Sequence, residues 1–475
     1  MNQVLSFISW LFITVFRVSA WLVLATVLIF PAFKGVWAGY VPVVIGFGVG
    51  LALWKYGANV RRWISVGSDR WFLCWLCVWT LVAQGILIMG FRSLPTFDGL
   101  FVYRQAVEWL ETGRIDPITY YAPGQIWYYG LWFLLLGPSP LLAQWVQVPL
   151  AMAIPVVVFL IGRDVGDHRK ARLAAILAAV YPGTLLYILV TPYYYYLYTL
   201  MILLMAWTWI RVDQVPSRWG SALLGGLAAG WGALTKATLL VAPIQAIFFW
   251  VVAAGAWRSA SKRWLAALVF CLAIVAVLTP WTLRNIAVFG QPITIATSGP
   301  LVFFSANNPE SDGLYSDIPD RVRIDTPEEM LAHMAWCNEQ AWEFIREQPL
   351  DFLRLVWMKF LHTWGTETTF VELINRQGED IGWLDPALRF GIQVGWAALV
   401  LAWALGAWRR LRNNSPATPL EVVAGIFVLS KFLIYSVYEG GARHHLPAVP
   451  LLILVVTMCY MGDDTSRHCD SDNPR

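Results

Sequence analysis

Stretches of about 20 apolar residues, the length that crosses a ~30 Å hydrocarbon core, recur along nearly the whole chain. Their number limits the possible folds more than any motif does. The composition agrees. Of 475 residues, 58% are hydrophobic and only 13% charged, with a mean hydropathy of +0.58. A soluble domain carries about a quarter of its residues as charges, so a polytopic all-α membrane protein is expected. Twelve transmembrane helices are expected, over 5–31, 36–54, 71–91, 140–162, 173–190, 193–210, 219–235, 238–256, 264–282, 386–408, 419–437 and 444–461. The 28 Trp residues suit interfacial belts at helix ends. Basic residues sit between spans rather than in one stripe, which argues against a nucleic-acid partner.

The basic residues also give an orientation. The loops 55–70, 163–172, 211–218, 257–263 and 409–418 hold sixteen Lys and Arg residues, Arg163 and Arg172 among them, and the short loops opposite hold very few. By the positive-inside rule both termini are expected in the cytoplasm, with 92–139 and 283–385 outside. The N-terminus has no basic residue before Arg17 and no small-residue cleavage site, so it is expected to remain as a membrane span. Four regions follow: two extra N-terminal helices over 1–60, a membrane core over 61–282, an outer cap over 283–385, and C-terminal helices with a short tail over 386–475. The cap segments EEMLAHMAWCNEQAWEFIREQ and PLDFLRLVWMKFLHTWG have helical periodicity suited to the membrane surface. The segment 120–137 is apolar but short and broken by Pro and Gly, as in a re-entrant or surface helix.

Asp98 is the first candidate for chemistry. It follows the apolar run ending at Phe91 and opens an amphipathic stretch that closes at Gly113. A carboxylate there acts either as a helix N-cap or as a base at the membrane surface, and the segment alone favours the cap. Lys236, Arg284 and Arg443 come from separate spans yet all fall at outer ends. They can grip a phosphate head group, or snorkel and cap helix C-termini. His444 and His445 are candidate substrate contacts or structural residues at a helix entrance, with no third ligand at metal spacing. Tyr103, Tyr193 and Tyr194 are candidate contacts, and tyrosines at such positions as 193 and 194 also anchor at the interface. Asn308, in SANNPESDG, is a candidate contact in a sequence that also favours a turn.

The order FDGLFVYRQAVEWLETG, YYAPG, GRDVGDHRKARLAA, AVYP, LTK, TPWTLRN, SANNPESDG, ARHHLP resembles the bacterial polyprenyl-phosphate-sugar glycosyltransferases of the GT-C superfamily, whose relatives include protein O-mannosyltransferases and lipid A aminoarabinose transferases. The resemblance covers about residues 71–461. It implies a GT-C-like helical fold in the bacterial inner membrane with its active site facing outside. It also implies a sugar donor on a polyprenyl phosphate and a lipid, glycan or protein acceptor. Asp98 occupies the place of the family's essential acidic residue, which the resemblance makes the general base. Lys236, Arg284 and Arg443 become ligands of the donor phosphate. Two departures stand out. Gly99 follows Asp98 where many members carry a second acid, and Tyr193 and Tyr194 stand where another carboxylate is expected. Metal use is therefore open, with a divalent cation possible. The competing readings are a transporter or flippase of lipid-linked sugars, and a surface-glycan polymerase or ligase. A transporter would place charges at mid-membrane, where Arg17 and Lys431 are the candidates and neither has an evident partner in the sequence.

Overall fold

The computed structural model describes residues 2–64, 67–91, 95, 97–190, 194–215, 217–252, 260–316, 324–368, 371 and 384–461. Helices α1 (Asn2–Phe33), α2 (Tyr40–Ile64) and α3 (Asp69–Gly90) lead to α4 (Phe97–Thr112) and α5 (Pro123–Leu136), which fill the 92–139 segment. Then come α6 (Pro140–Trp145), α7 (Val148–Val165), α8 (His168–Val180), α9 (Pro182–Leu185), α10 (Tyr195–Gln214), α11 (Trp219–Thr235), α12 (Ala242–Val252) and α13 (Ala260–Phe289). The cap contributes α14 (Ser298–Ser305), α15 (Pro327–Glu347) and α16 (Pro349–Trp364), and the chain continues through α17 (Leu384–Arg412), α18 (Pro419–Val437) and α19 (Val449–Val455). No strand occurs among the described residues.

The fold is all-α and multi-pass. Among the described residues, nine helical stretches are long and apolar enough to cross a membrane, and ten if a pair bent by 54° at the α8–α9 break counts as one span. Two of the twelve expected spans are shorter than a crossing. Helix α11 has 17 residues, about 26 Å at 1.5 Å per residue, and the next apolar helix runs only from Ala237 to Trp250. Helix α13 runs to Phe289, past the expected cap boundary at 283.

Glycines set the closest helix contacts. A Cβ on Gly46 or Gly50 of α2 would meet the Val394 or Ala398 carbonyl of α17 at 2.6 or 2.7 Å. One on Gly226 of α11 would meet the Phe270 carbonyl of α13 at 2.3 Å, and one on Gly230 the Val277 side chain at 2.7 Å. Both pairs are four residues apart, so each helix offers one bare stripe that lets backbones approach, the usual source of packing energy where lipid and protein are equally apolar.

Arg17, which has no evident partner in the sequence, is paired. Its Nε donates to Glu421 Oε1 at 3.0 Å, its Nη2 to Glu421 Oε2 at 3.2 Å, and its Nη1 to the Ser415 carbonyl at 2.9 Å. Arg410 Nη2 lies 3.1 Å from Glu421 Oε2. Glu421 is fully buried and also closes the capping box that starts α18, where Thr418 accepts from the Glu421 amide and Glu421 accepts from the Thr418 amide. One carboxylate therefore fixes the start of α18 and anchors α1 against the C-terminal helices. The expected N-terminal addition is packed into the bundle in this way. Glu421→Gln keeps an acceptor for the cap but leaves two guanidinium groups without their carboxylate. Breaking a buried pair on one side costs about 3–5 kcal/mol. Thermal unfolding in detergent should show that loss for Glu421→Gln, and Arg17→Met combined with Glu421→Gln should recover part of it.

Candidate active site

The sequence places Asp98 where a helix starts, and the structure puts it in the first turn of α4 rather than at its cap. The helix closes where expected, at Gly113, with φ +68°. Asp98 Oδ1 accepts a hydrogen bond from the Tyr121 hydroxyl at 2.6 Å. Tyr121 in turn packs on Phe101 and Tyr120, both at 4.8 Å between ring centres. The YYAP sequence before α5 thus folds back over the first turn of α4. Burial, then Tyr315, Asp98 and Glu439, push the Tyr120 hydroxyl well above its ordinary range. One tyrosine therefore senses two carboxylates from opposite ends of the chain.

The second carboxylate sits in the turn between α18 and α19. Glu439 pairs with Arg443 at 2.5 Å and lies 3.6 Å from His444 Nε2. Burial raises its affinity for a proton, but Arg443, His444 and Lys236 outweigh this and hold it well below the carboxylate range. Lys236 Nζ donates to the Tyr194 hydroxyl at 2.6 Å and lies 3.4 Å from His444 Nδ1. The ammonium also stands over the Tyr194 and Tyr435 rings, at 4.2 and 5.4 Å. Desolvation, then Arg443 and Lys431, lower its basicity, while Glu439 and Asp98 oppose them. Lys236, Tyr194, Arg443 and His444 therefore share one site with Glu439, and Asp98 lies within its electrostatic reach.

Other expected residues lie elsewhere. Arg284 stands over Trp281 and donates to the Ile115 and Asp116 carbonyls, to Thr119 Oγ1 and to Asn285 Oδ1. It holds the turn that leads into Tyr120 and Tyr121, and the structure does not bring it into the Lys236 cluster. His445 is fully buried: Nε2 is 2.9 Å from Glu367 Oε1, Nδ1 meets the Thr363 carbonyl, and Trp396 and Trp364 stack on the ring. It anchors the turn that carries Arg443 and His444. Asn308 is consumed in its own turn, donating to the Phe304 and Ser305 carbonyls and accepting from the Glu310 amide. Tyr103 packs on Phe133 and fastens α4 to α5. Tyr193 lies outside the described residues. Among the described residues no three His, Cys, Asp or Glu side chains gather as a cation site.

Comparison with known proteins adds a family. Residues 121–281 match the family model for dolichyl-phosphate-mannose-protein mannosyltransferase. The match covers about a third of the chain and lies within the core segment that carries the resemblance read from the sequence. The match takes in Tyr121, Tyr194 and Lys236, whereas Asp98, Glu439, Arg443 and His444 lie beyond its ends. No curated protein sequence matches. Among solved structures, the chain resembles the oligosaccharyltransferase AglB of Archaeoglobus fulgidus. The form with an inhibitory peptide and dolichol-phosphate is 16% identical, covers 82% of this chain and 50% of its own, and has TM-score 0.47. The form with Zn and sulfate is 16% identical, at 80% and 48% coverage, with TM-score 0.48. The apo form is 15% identical, at 83% and 51% coverage, with TM-score 0.49. This chain spans about half the length of those proteins.

Two residues escape a reading of the sequence as site components. Glu439 reads as one more acid at a helix end; only its i, i+4 spacing to Arg443 hints at a pair. Lys359 lies in an amphipathic cap helix and reads as a solvated charge, but it is fully buried. It donates to Asn307 Oδ1 at 2.6 Å and to the Val437 carbonyl at 2.9 Å, which binds the cap to the end of α18. Burial lowers Lys359 from 10.5 to about 7, with Glu439 opposing. The folded protein therefore holds fewer protons than the unfolded chain between those values, so stability rises as pH increases from about 7 towards 10.5. Thermal unfolding across this range should show the rise in the wild type and a flatter profile in Lys359→Met.

Proposed function

We propose that this protein transfers a sugar from a polyprenyl-phosphate donor to an acceptor on the outer face of the membrane. The observation that carries the proposal is the turn 438–445, where Glu439, Arg443 and His444 meet Lys236 and Tyr194 within electrostatic reach of Asp98. It joins a cationic cradle to a carboxylate, which is what substitution at an anomeric carbon beside a phosphate leaving group requires. The membrane orientation is part of the proposal, with 92–139 and 283–385 outside. The family match over 121–281 supports the reaction class.

In this reading Lys236 and Arg443 bind the donor phosphate, Arg443 by its two-pronged guanidinium and Lys236 as a point charge. Tyr194 and Tyr435 set the Lys236 ammonium, and Tyr121 orients the Asp98 carboxylate through its hydroxyl. Asp98 takes the proton from an acceptor hydroxyl as that oxygen bonds to the anomeric carbon. The bond from that carbon to the phosphate oxygen breaks, and the polyprenyl phosphate leaves with the electron pair, stabilised by the two cations. Attack from the face opposite the phosphate inverts the anomeric centre. Arg284 supports the site by holding the 115–119 turn.

Asp98→Asn tests the base. The amide keeps an acceptor for the Tyr121 hydroxyl and suits a first helical turn, so folding should be retained. Turnover should fall about 10²–10⁴-fold with donor binding preserved, measured as polyprenyl phosphate released from detergent-solubilised enzyme. Wild-type turnover in Asp98→Asn would show that the base is elsewhere.

A further inference from the structure

Lys431 lies in the middle of α18's buried face, six residues before its end, about 9 Å along the helix. It is 5% exposed, and among the described residues its ammonium has no hydrogen-bond or carboxylate partner, only the faces of Tyr198 and Tyr435 at 5.3 and 5.6 Å. The proposed mechanism makes no use of it, although both ammonium groups lie near the Tyr435 ring and Lys431 acts on Lys236 electrostatically. A buried ammonium with no counter-charge is costly, and the ring faces offset only part of that.

A small cavity adjoins Lys431, lined also by Tyr198, Thr238, Gln245, Ser430 and Tyr435, with room for about one water-sized group. Its hydrogen bonds are unbalanced. Gln245 Nε2 donates to Ser430 Oγ at 2.8 Å, which leaves the serine hydrogen free to donate elsewhere. Tyr198 and Thr238 share one hydrogen bond at 2.8 Å, so one of their two hydroxyl hydrogens is also left over. With the ammonium, the lining offers a positive charge and several donors. Against these stand two buried acceptors without a partner, Gln245 Oε1 and the Tyr435 hydroxyl, the second of which can also donate. The amide can turn over and present its NH₂ instead, since its oxygen and nitrogen are exchangeable by a flip. Water would answer the donors but not the charge. A phosphate group is too large for the cavity.

We propose that this cavity is a binding site for a monoatomic anion, chloride being the common one, held by Lys431 with Ser430 and the Tyr198–Thr238 pair. The site is separate from the donor cradle. Its ligand is a free halide rather than part of the lipid substrate.

The test is equilibrium binding of ³⁶Cl-chloride to the full-length protein in detergent with gluconate as the background anion. The wild type should bind about one chloride per chain, and Lys431→Met should bind it at least about tenfold more weakly, as expected when a charged donor is lost. Lys236→Met should weaken binding much less than Lys431→Met does. If Lys431→Met fails to fold, Ser430→Ala decides, with binding expected to weaken several-fold. The proposal is overturned if the wild type binds no chloride, which would leave water in the cavity. It is also overturned if Lys431→Met or a soluble Ser430→Ala binds like the wild type. Binding lost in Lys236→Met but kept in Lys431→Met would move the anion to the donor cradle and equally refute it.

Discussion

The arrangement of the site depends on one buried carboxylate, Glu439. Its neighbours are two cations, Arg443 from its own turn and Lys236 from the end of α11, with the His444 imidazole beside them. Without it, those like charges would repel one another in a poorly solvated pocket, and the cost of burying each would stand uncompensated. The turn is held from the other side by backbone. The Gly440 amide donates to the Gly313 carbonyl of the cap, and the Gly441 amide to Thr363 Oγ1 at the end of α16. A side chain on Gly440 would meet the Lys359 backbone at 2.8 Å, so the bare glycine is what lets cap and turn touch.

The same device recurs at the far end of the bundle. Glu421 gathers Arg17 and Arg410 as Glu439 gathers Arg443, His444 and Lys236. In both places a single acid lets helices distant in sequence converge where lipid offers no polar partner. Lys431 departs from this pattern: it is buried, and among the described residues no carboxylate pairs with it. That contrast marks its cavity as a ligand site rather than another structural pair.

Fold class was legible because hydrophobic run length is read directly against bilayer thickness. The exact set of crossings was less so, since α11 and the helix after it are apolar but short. Hydropathy sees composition better than length when neighbouring runs abut. Of the proposed site, Asp98, Lys236, Tyr194, Arg443 and His444 were legible as polar residues at the ends of apolar runs. Arg284 and His445 looked identical on that criterion, yet one secures a turn through backbone carbonyls and the other is sealed between two tryptophans. Spacing cannot separate them, because the difference lies in partners more than 70 residues away. Glu439 was missed for the same reason: its value comes from charges that only the tertiary fold brings near.

The central claim is that the turn around Glu439 serves bond-breaking at a lipid phosphate rather than passage of an intact lipid-linked sugar. The most direct measurement follows a radiolabelled polyprenyl-phosphate sugar in proteoliposomes containing the full-length protein, with lipid and glycan acceptors extracted from cells. The account predicts that label leaves the polyprenyl carrier, that free polyprenyl phosphate appears in equal amount, and that a glycosylated acceptor forms. Redistribution of intact, still-labelled polyprenyl-phosphate sugar between leaflets, with no polyprenyl phosphate released, would contradict it and make the protein a transporter.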